Sequence, residues 1–148
     1  MRKAPDNEDV MGHCDPGLKD TKALKVRRTD TAVALGSGDV PVLGTPALLA
    51  LAESACVDAI SGDLPSGQTS VGVWAEVEHE RATAVGGKVV AEATLTGHHG
   101  RRLEFNVLVR EGDEIVAKVR HRRVLVDRER FLEKVGVSAN GQKAAARN

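Results

Sequence analysis

Two periodicities divide the chain. Between Gly44 and Ser61 apolar residues recur at helical spacing, and at about 100° per residue Leu48, Leu49, Ala52, Cys56, Ala59 and Ile60 share one broad arc opposite Ser54 and Asp58. Thr45-Pro46 predicts the start of this helix, with threonine as the cap and proline at the first helical position, where its missing N–H costs nothing. Gly62 and Pro65 predict its end. After the helix the period falls to two. Val71, Val73, Ala75, Val77 and His79 are expected on one strand face, with Trp74, Glu76, Glu78 and Glu80 on the other.

Further alternating runs follow, separated by turns at Val85–Gly87, Gly97–Gly100 and Glu111–Asp113. Their inward sets are Val89, Ala91, Ala93, Leu95; then Leu103, Phe105, Val107, Val109; then Ile115, Ala117, Val119, His121, Arg123, Leu125. Before the helix, Ala23–Val26 and Thr31–Leu35 are expected as short strands, joined to it through a turn at Gly36–Asp39 and the stretch Val40–Leu43. Asp127–Val135 is expected to form a closing helical turn. Residues 1–16 lack periodicity and are expected to be a disordered leader, 17–136 the single folded domain, and 137–148 a flexible tail. One apolar helix followed by hairpin-linked strands predicts an α+β fold, a curved antiparallel sheet wrapped around a long central helix, and excludes a nucleotide-binding parallel sheet.

Composition narrows the partners. With 21 basic and 21 acidic residues in 148, no global field favours nucleic acid or a membrane surface. The aromatic set is Trp74, Phe105 and Phe131, too small for base-stacking platforms. No apolar run approaches a membrane span, and Met1-Arg2-Lys3 leads into polar residues. Cys14 and Cys56 lack metal-ligand spacing, so a reduced, cytoplasmic protein with no metal is expected.

Three polar residues are candidates for chemistry, each with a plainer reading. Thr45 is either a cap alone or a hydroxyl at a helix N-terminus, where N–H groups and the dipole favour developing negative charge. Glu53 falls on the apolar side of the helix, either as an edge carboxylate or as a chemical group. His79 extends a strand face toward the helix, and of the five histidines it is the one expected to face Glu53. A carboxylate and an imidazole on facing elements form an acid–base pair. His98, His99 and the run Arg120, Arg122, Arg123 read as solvated, with the arginines also suited to the phosphates of a cofactor such as coenzyme A. An isosteric Glu53→Gln change is expected to leave folding intact or improve it, because a charge on an apolar arc costs desolvation energy.

At these residues the chain resembles the hotdog-fold acyl-CoA thioesterases, and most closely the fluoroacetyl-CoA thioesterase family. The resemblance spans residues 17–135 and rests on GTPALLALAESAC, SVGVWAEVEH, GRRLEFNVLV and HRRVLVDRERFLEKV. It implies a catalytic threonine, glutamate and histidine at Thr45, Glu53 and His79. It also implies a glycine at Gly72 that admits the thioester to the backbone, and a substrate-binding arginine at Arg123. It further implies hydrolysis of an acyl-CoA without a cofactor beyond the substrate's own CoA, in a homodimer with active sites at the interface. That family carries aromatic residues in a lid segment before the central helix, whereas Thr29–Leu43 here is wholly aliphatic or polar. A hotdog hydratase or dehydratase is the second enzymatic reading, although no hydratase-type histidine/aspartate motif is present. A non-catalytic acyl-CoA-binding hotdog module is the third.

Overall fold

A computed structural model describes residues 14–138 and 140–145. Of the expected leader 1–16, residues 1–13, His13 included, lie outside the described residues, as do Ala139 and 146–148. The strands are β1 (Lys19–Lys25), β2 (Gln68–His79), β3 (Lys88–His99), β4 (Arg102–Glu111) and β5 (Glu114–Asp127). They form one sheet in the order β1-β3-β4-β5-β2, antiparallel throughout. The described residues add three α-helices, α1 (Ala32–Leu35), α2 (Thr45–Ile60) and α3 (Arg128–Val135), and one 3-10 turn over Arg28–Asp30. This is the hotdog arrangement expected from the sequence, with α2 as its central helix.

The alternation in β3 and β4 is realised as expected: Val89, Ala91, Ala93, Leu95, Leu103, Phe105, Val107 and Val109 are all buried. Alanines at 91 and 93 meet Ala52, Ala55 and Ala59 in the same core, so the helix seats closely on this part of the sheet. Leu48, fully buried, contributes about 2 kcal/mol of transfer free energy. The buried face of α2 adds Leu51 and Ala55 to the expected arc and leaves Leu49 only partly covered. The helix rests chiefly on β1 and β3, and far less on β2. β2 is an edge strand, paired only with β5, and its stretch Gly72–Glu76 is exposed.

Several local expectations are corrected. Thr31–Leu35 is not a strand: the Thr31 hydroxyl accepts from Ala34 N at 3.2 Å and caps the short helix α1, which ends at Gly36 with φ 71°. Thr45 is not the cap of α2; Gly44 takes that position and accepts from Leu48 N, which frees the threonine side chain. Cys14, expected in the disordered leader 1–16, belongs to the core at 1% exposure, and its carbonyl lies 2.9 Å from Nδ1 of His98, a half-buried residue expected to be solvated. The expected tail carries a bridge between Val137 and Lys143.

Two β-bulges correct the inward sets. Between Gly72 and Trp74 the register slips by one residue, so Gly72 faces Arg123 and Trp74 faces Arg122. Val73 is the extra residue, 55% exposed, and Val71 lies in the opposite phase from Ala75, Val77 and His79. A second slip at Val109/Arg110 buries Val116 and turns Ile115 outward.

Candidate active site

The inward face of β5 carries two polar side chains into the core, His121 at 2% and Arg123 at 7% exposure. Strand alternation puts them side by side, since residues two apart share a face. Across from them α2 presents Glu53, whose side chain is 37% exposed. Arg123 Nη1 donates to Glu53 Oε2 at 3.2 Å and lies 3.1 Å from His121 Nε2. Its Nε donates to Ser70 Oγ at 2.8 Å, and its Nη2 to the Ser70 carbonyl at 3.0 Å. Burial lowers the guanidinium from its ordinary value and Glu53 opposes that. A buried cation is tolerable on these terms, with a counter-ion and hydrogen bonds on each nitrogen.

Gly72 closes the floor of this centre. A Cβ there would stand 2.5 Å from Glu53 Oε2, 3.1 Å from His121 Cε1 and 3.3 Å from Arg123 Nη1. The carboxylate therefore lies directly against the strand backbone, in space that only glycine leaves open. His121 sits beneath, with Nδ1 2.7 Å from the Trp74 carbonyl. Burial pushes this histidine below its ordinary pKa. Cys56, also in the core, is pushed up to about 12 by burial, so its thiol stays protonated and does not compete as a nucleophile.

A second polar pair lies at the N-terminus of α2. Thr45 Oγ1 is 2.8 Å from His79 Nδ1. His79 Nε2 is buried and has no partner among the described residues. The bulge explains how Gly72 and His79 share a face. Seven residues apart, they would point to opposite sides of a regular strand, and the extra residue at Val73 restores the phase.

Of the five residues singled out in the sequence, Glu53, Gly72 and Arg123 converge, and Thr45 and His79 form a separate pair. Eight residues of helix hold Thr45 and Glu53 about 12 Å apart along the axis. Within one chain, then, His79 does not face Glu53 as expected; His121 does, with Nε2 3.4 Å from Oε2. The sequence held a signal for it, a histidine two residues before Arg123 on the same inward face. Arg123 is correspondingly not solvated, whereas Arg120 and Arg122 lie on the outer face, 5.7 and 4.4 Å from the centre of the Trp74 ring. A cavity of about 410 Å³ also opens on that outer face, between Glu76, Glu92, Asn106 and Lys118, and none of the five residues lines it. Among the described residues no three His, Cys, Asp or Glu side chains are grouped so as to hold a metal ion. Nor is any helix among them long and apolar enough to cross a membrane.

Comparison with known proteins bears on the family and the fold. Residues 26–129 match the family described as fluoroacetyl-CoA-specific thioesterase. A fluoroacetyl-CoA thioesterase of Streptantibioticus cattleyicolor is 34% identical over 94 residues, which cover 64% of this chain and 68% of that protein. A solved structure of a fluoroacetyl-CoA thioesterase superposes with a TM-score of 0.78 at 29% identity, covering 83% of this chain and 96% of the other. A hot-dog-like protein from Thermanaerovibrio acidaminovorans shares the fold with a TM-score of 0.75 at 24% identity, over 81% of this chain and 89% of its own.

Proposed function

The chain belongs to the fluoroacetyl-CoA-specific thioesterase family, and from that premise we propose that it hydrolyses a small acyl-CoA to the carboxylic acid and free coenzyme A, with no cofactor beyond the substrate's own CoA. The observation that carries the reading is the Glu53 carboxylate, fixed by Arg123 against the bare backbone of Gly72. A thioester laid along that backbone meets a carboxylate oxygen at its carbonyl carbon. Two routes then balance. In one, Glu53 attacks the carbonyl, the C–S bond breaks to give a mixed anhydride, and the CoA thiolate takes a proton from His79; water then hydrolyses the anhydride. In the other, Glu53 takes a proton from water, which attacks directly, and passes the proton on to the leaving sulfur through His79. Thr45 orients the imidazole and, beside the α2 N-terminus, helps to stabilise the oxyanion.

One chain separates these groups, so the working site is shared between two chains of a homodimer. The open edge of β2 supports this. An antiparallel two-fold pairing of two such edges, centred on Glu76 and with Val73 left out as the bulge residue, sets Gly72 of each chain against His79 of the other. The unpartnered Nε2 of His79 would then meet the partner's Glu53 or the leaving sulfur. Two free, buried cysteines fit a reducing compartment, the cytoplasm.

Thiol release from a panel of short acyl-CoAs tests the activity; a protein that binds them without turnover would end the proposal. Mixing tests the shared site. Glu53→Gln and His79→Ala chains, each inactive alone, should together recover about a quarter of wild-type activity through heterodimers holding one intact site. A fully active monomer in light scattering would exclude the shared site.

A further inference from the structure

His121 has no role in the mechanism above, yet it is almost completely buried and stands against the carboxylate on which that mechanism depends. Its two ring nitrogens face neighbours of opposite kind. Nδ1 lies 2.7 Å from the carbonyl oxygen of Trp74, which can only accept a hydrogen bond, so Nδ1 carries a proton. Nε2 makes its hydrogen bond with Nη1 of Arg123 at 3.1 Å, which can only donate, whereas Glu53 Oε2 stands farther off at 3.4 Å without hydrogen-bond geometry, so Nε2 is bare. The surroundings thus select one neutral tautomer. The groups around the ring are Glu53 from α2, Arg123 from its own strand, the Trp74 carbonyl from β2 and the Phe105 ring from β4, its centre 6.4 Å away. The lowered pKa of the imidazole agrees with the neutral form.

We propose that His121 is a positioning residue, which accepts one of the two Nη1 protons of Arg123 and thereby leaves a single proton for Glu53. The inference rests on the hydrolytic reading given above. Every described contact of the carboxylate falls on Oε2: Arg123 Nη1 at 3.2 Å, with His121 Nε2 at 3.4 Å. Oε1 is left for attack or for proton abstraction. Without an acceptor at His121, the second Nη1 proton is left unpaired in the core, and the guanidinium shifts to satisfy it, carrying the carboxylate it holds away from the thioester. The β2 bulge has a part in this, since the slip between Gly72 and Trp74 is what lays the Trp74 carbonyl over Nδ1. One irregularity both opens the floor at Gly72 and sets the tautomer beneath it.

Two replacements separate the halves of the ring. In His121→Asn the amide can still donate to Trp74 but falls short of Arg123. In His121→Gln the amide oxygen reaches Arg123. We expect His121→Asn to lower kcat about tenfold or more, the scale of a small misplacement of a reacting group, with KM changed less than about threefold, and His121→Gln to recover most of the loss. The wild-type protein supplies a measurement independent of both variants. Two-bond proton–nitrogen spectra near neutral pH should show Nδ1 of His121 protonated and Nε2 bare, and the Arg123 guanidinium should rotate slowly in wild type and His121→Gln but measurably faster in His121→Asn. A bare Nδ1, a doubly protonated ring, or His121→Asn turning over as fast as His121→Gln would overturn the inference. Should wild type release no thiol while the ring and guanidinium behave as expected, the hydrolytic reading fails and the hold of His121 on Arg123 stands.

Discussion

The hydroxyl of Thr45 and Nδ1 of His79, 34 residues apart in sequence, lie 2.8 Å from each other. The contact exists because Gly44 takes the cap position of α2 and leaves the threonine side chain unused by the helix. It orients the imidazole so that Nε2 points away from Thr45. Thr45→Val should therefore lower kcat at least tenfold, Thr45→Ser should keep most of it, and His79→Ala should cost about 10²-fold or more, the scale of general acid–base catalysis. His98→Ala serves as the control, since the ring nitrogens of His98 meet the carbonyls of Cys14 and Gly100, away from Thr45 and Glu53. Steady-state thiol release decides the matter; equal losses in His98→Ala and His79→Ala would refute the assignment.

Gly72→Ala makes a sharper test of the floor. The added methyl would stand 2.5 Å from Glu53 Oε2, the far end of a flexible side chain that can swing away. The fold should survive, with stability changed by less than about 2 kcal/mol. Turnover should fall about 10²-fold, because a displacement of about 1 Å is enough to lose a near-attack geometry. A melting temperature depressed in proportion to activity would instead mark Gly72 as merely structural.

The sheet was legible in the sequence wherever alternation ran unbroken. Val89 to Leu95 and Leu103 to Val109 point inward as their spacing requires. Alternation fails as a guide where one residue is inserted, since a bulge adds no chemical signature of its own. Val73 looked like a core residue for that reason, and the odd interval between Gly72 and His79 was the one hint of the slip. Thr31 misled for a different reason, because its short β-branched run matches a strand as well as a capped turn of helix. For the site, the residue types were legible but their partners were not. Glu53 pairs with Arg123 and His121 through register between distant strands, and no local pattern encodes that register.

Acyl selectivity should be modest. The segment between Thr29 and Leu43 holds α1 and exposed Val33, Leu35 and Val40, and no aromatic ring. Rejecting acetyl-CoA in favour of its fluorinated analogue requires a shaped, dry pocket, and one small apolar contact supplies about 10- to 200-fold at most. Competition between fluoroacetyl-CoA and acetyl-CoA should give a kcat/KM ratio below about 10³. A larger ratio would mean that aliphatic side chains alone build the gate.

The buried imidazole of His121 also makes stability depend on pH. Its folded pKa lies below the ordinary value of 6.5, chiefly through desolvation. Below pH 6.5 the unfolded chain binds a proton that the folded chain does not, so stability falls as pH drops from 6.5 toward the depressed folded value. Above 6.5 this contribution is constant. Denaturant midpoints measured from pH 7.5 down to about 5 should decline in wild type and decline less in His121→Gln, which has nothing to protonate there. Parallel declines in the two proteins would show that other groups dominate.

Glu53→Gln separates the structural from the chemical role of the carboxylate. The sequence alone suggested that glutamine would be harmless or stabilising, as a charge removed from an apolar helix face. Arg123 reverses that expectation: its guanidinium is buried, and Glu53 is the carboxylate that offsets its charge. The full penalty for orphaning a buried ion does not apply, because the Glu53 side chain is 37% exposed and a glutamine oxygen still accepts from Nη1. A loss of about 1–2 kcal/mol follows, or a melting temperature lower by a few degrees. Turnover should suffer on another scale, about 10³-fold or more, because an amide neither attacks a thioester nor takes a proton from water. Calorimetry, thiol release and acyl-CoA binding on the same preparations distinguish the outcomes. Unchanged turnover with intact binding would remove Glu53 from the chemistry, and unchanged stability would show that Ser70 and His121 hold Arg123 without it.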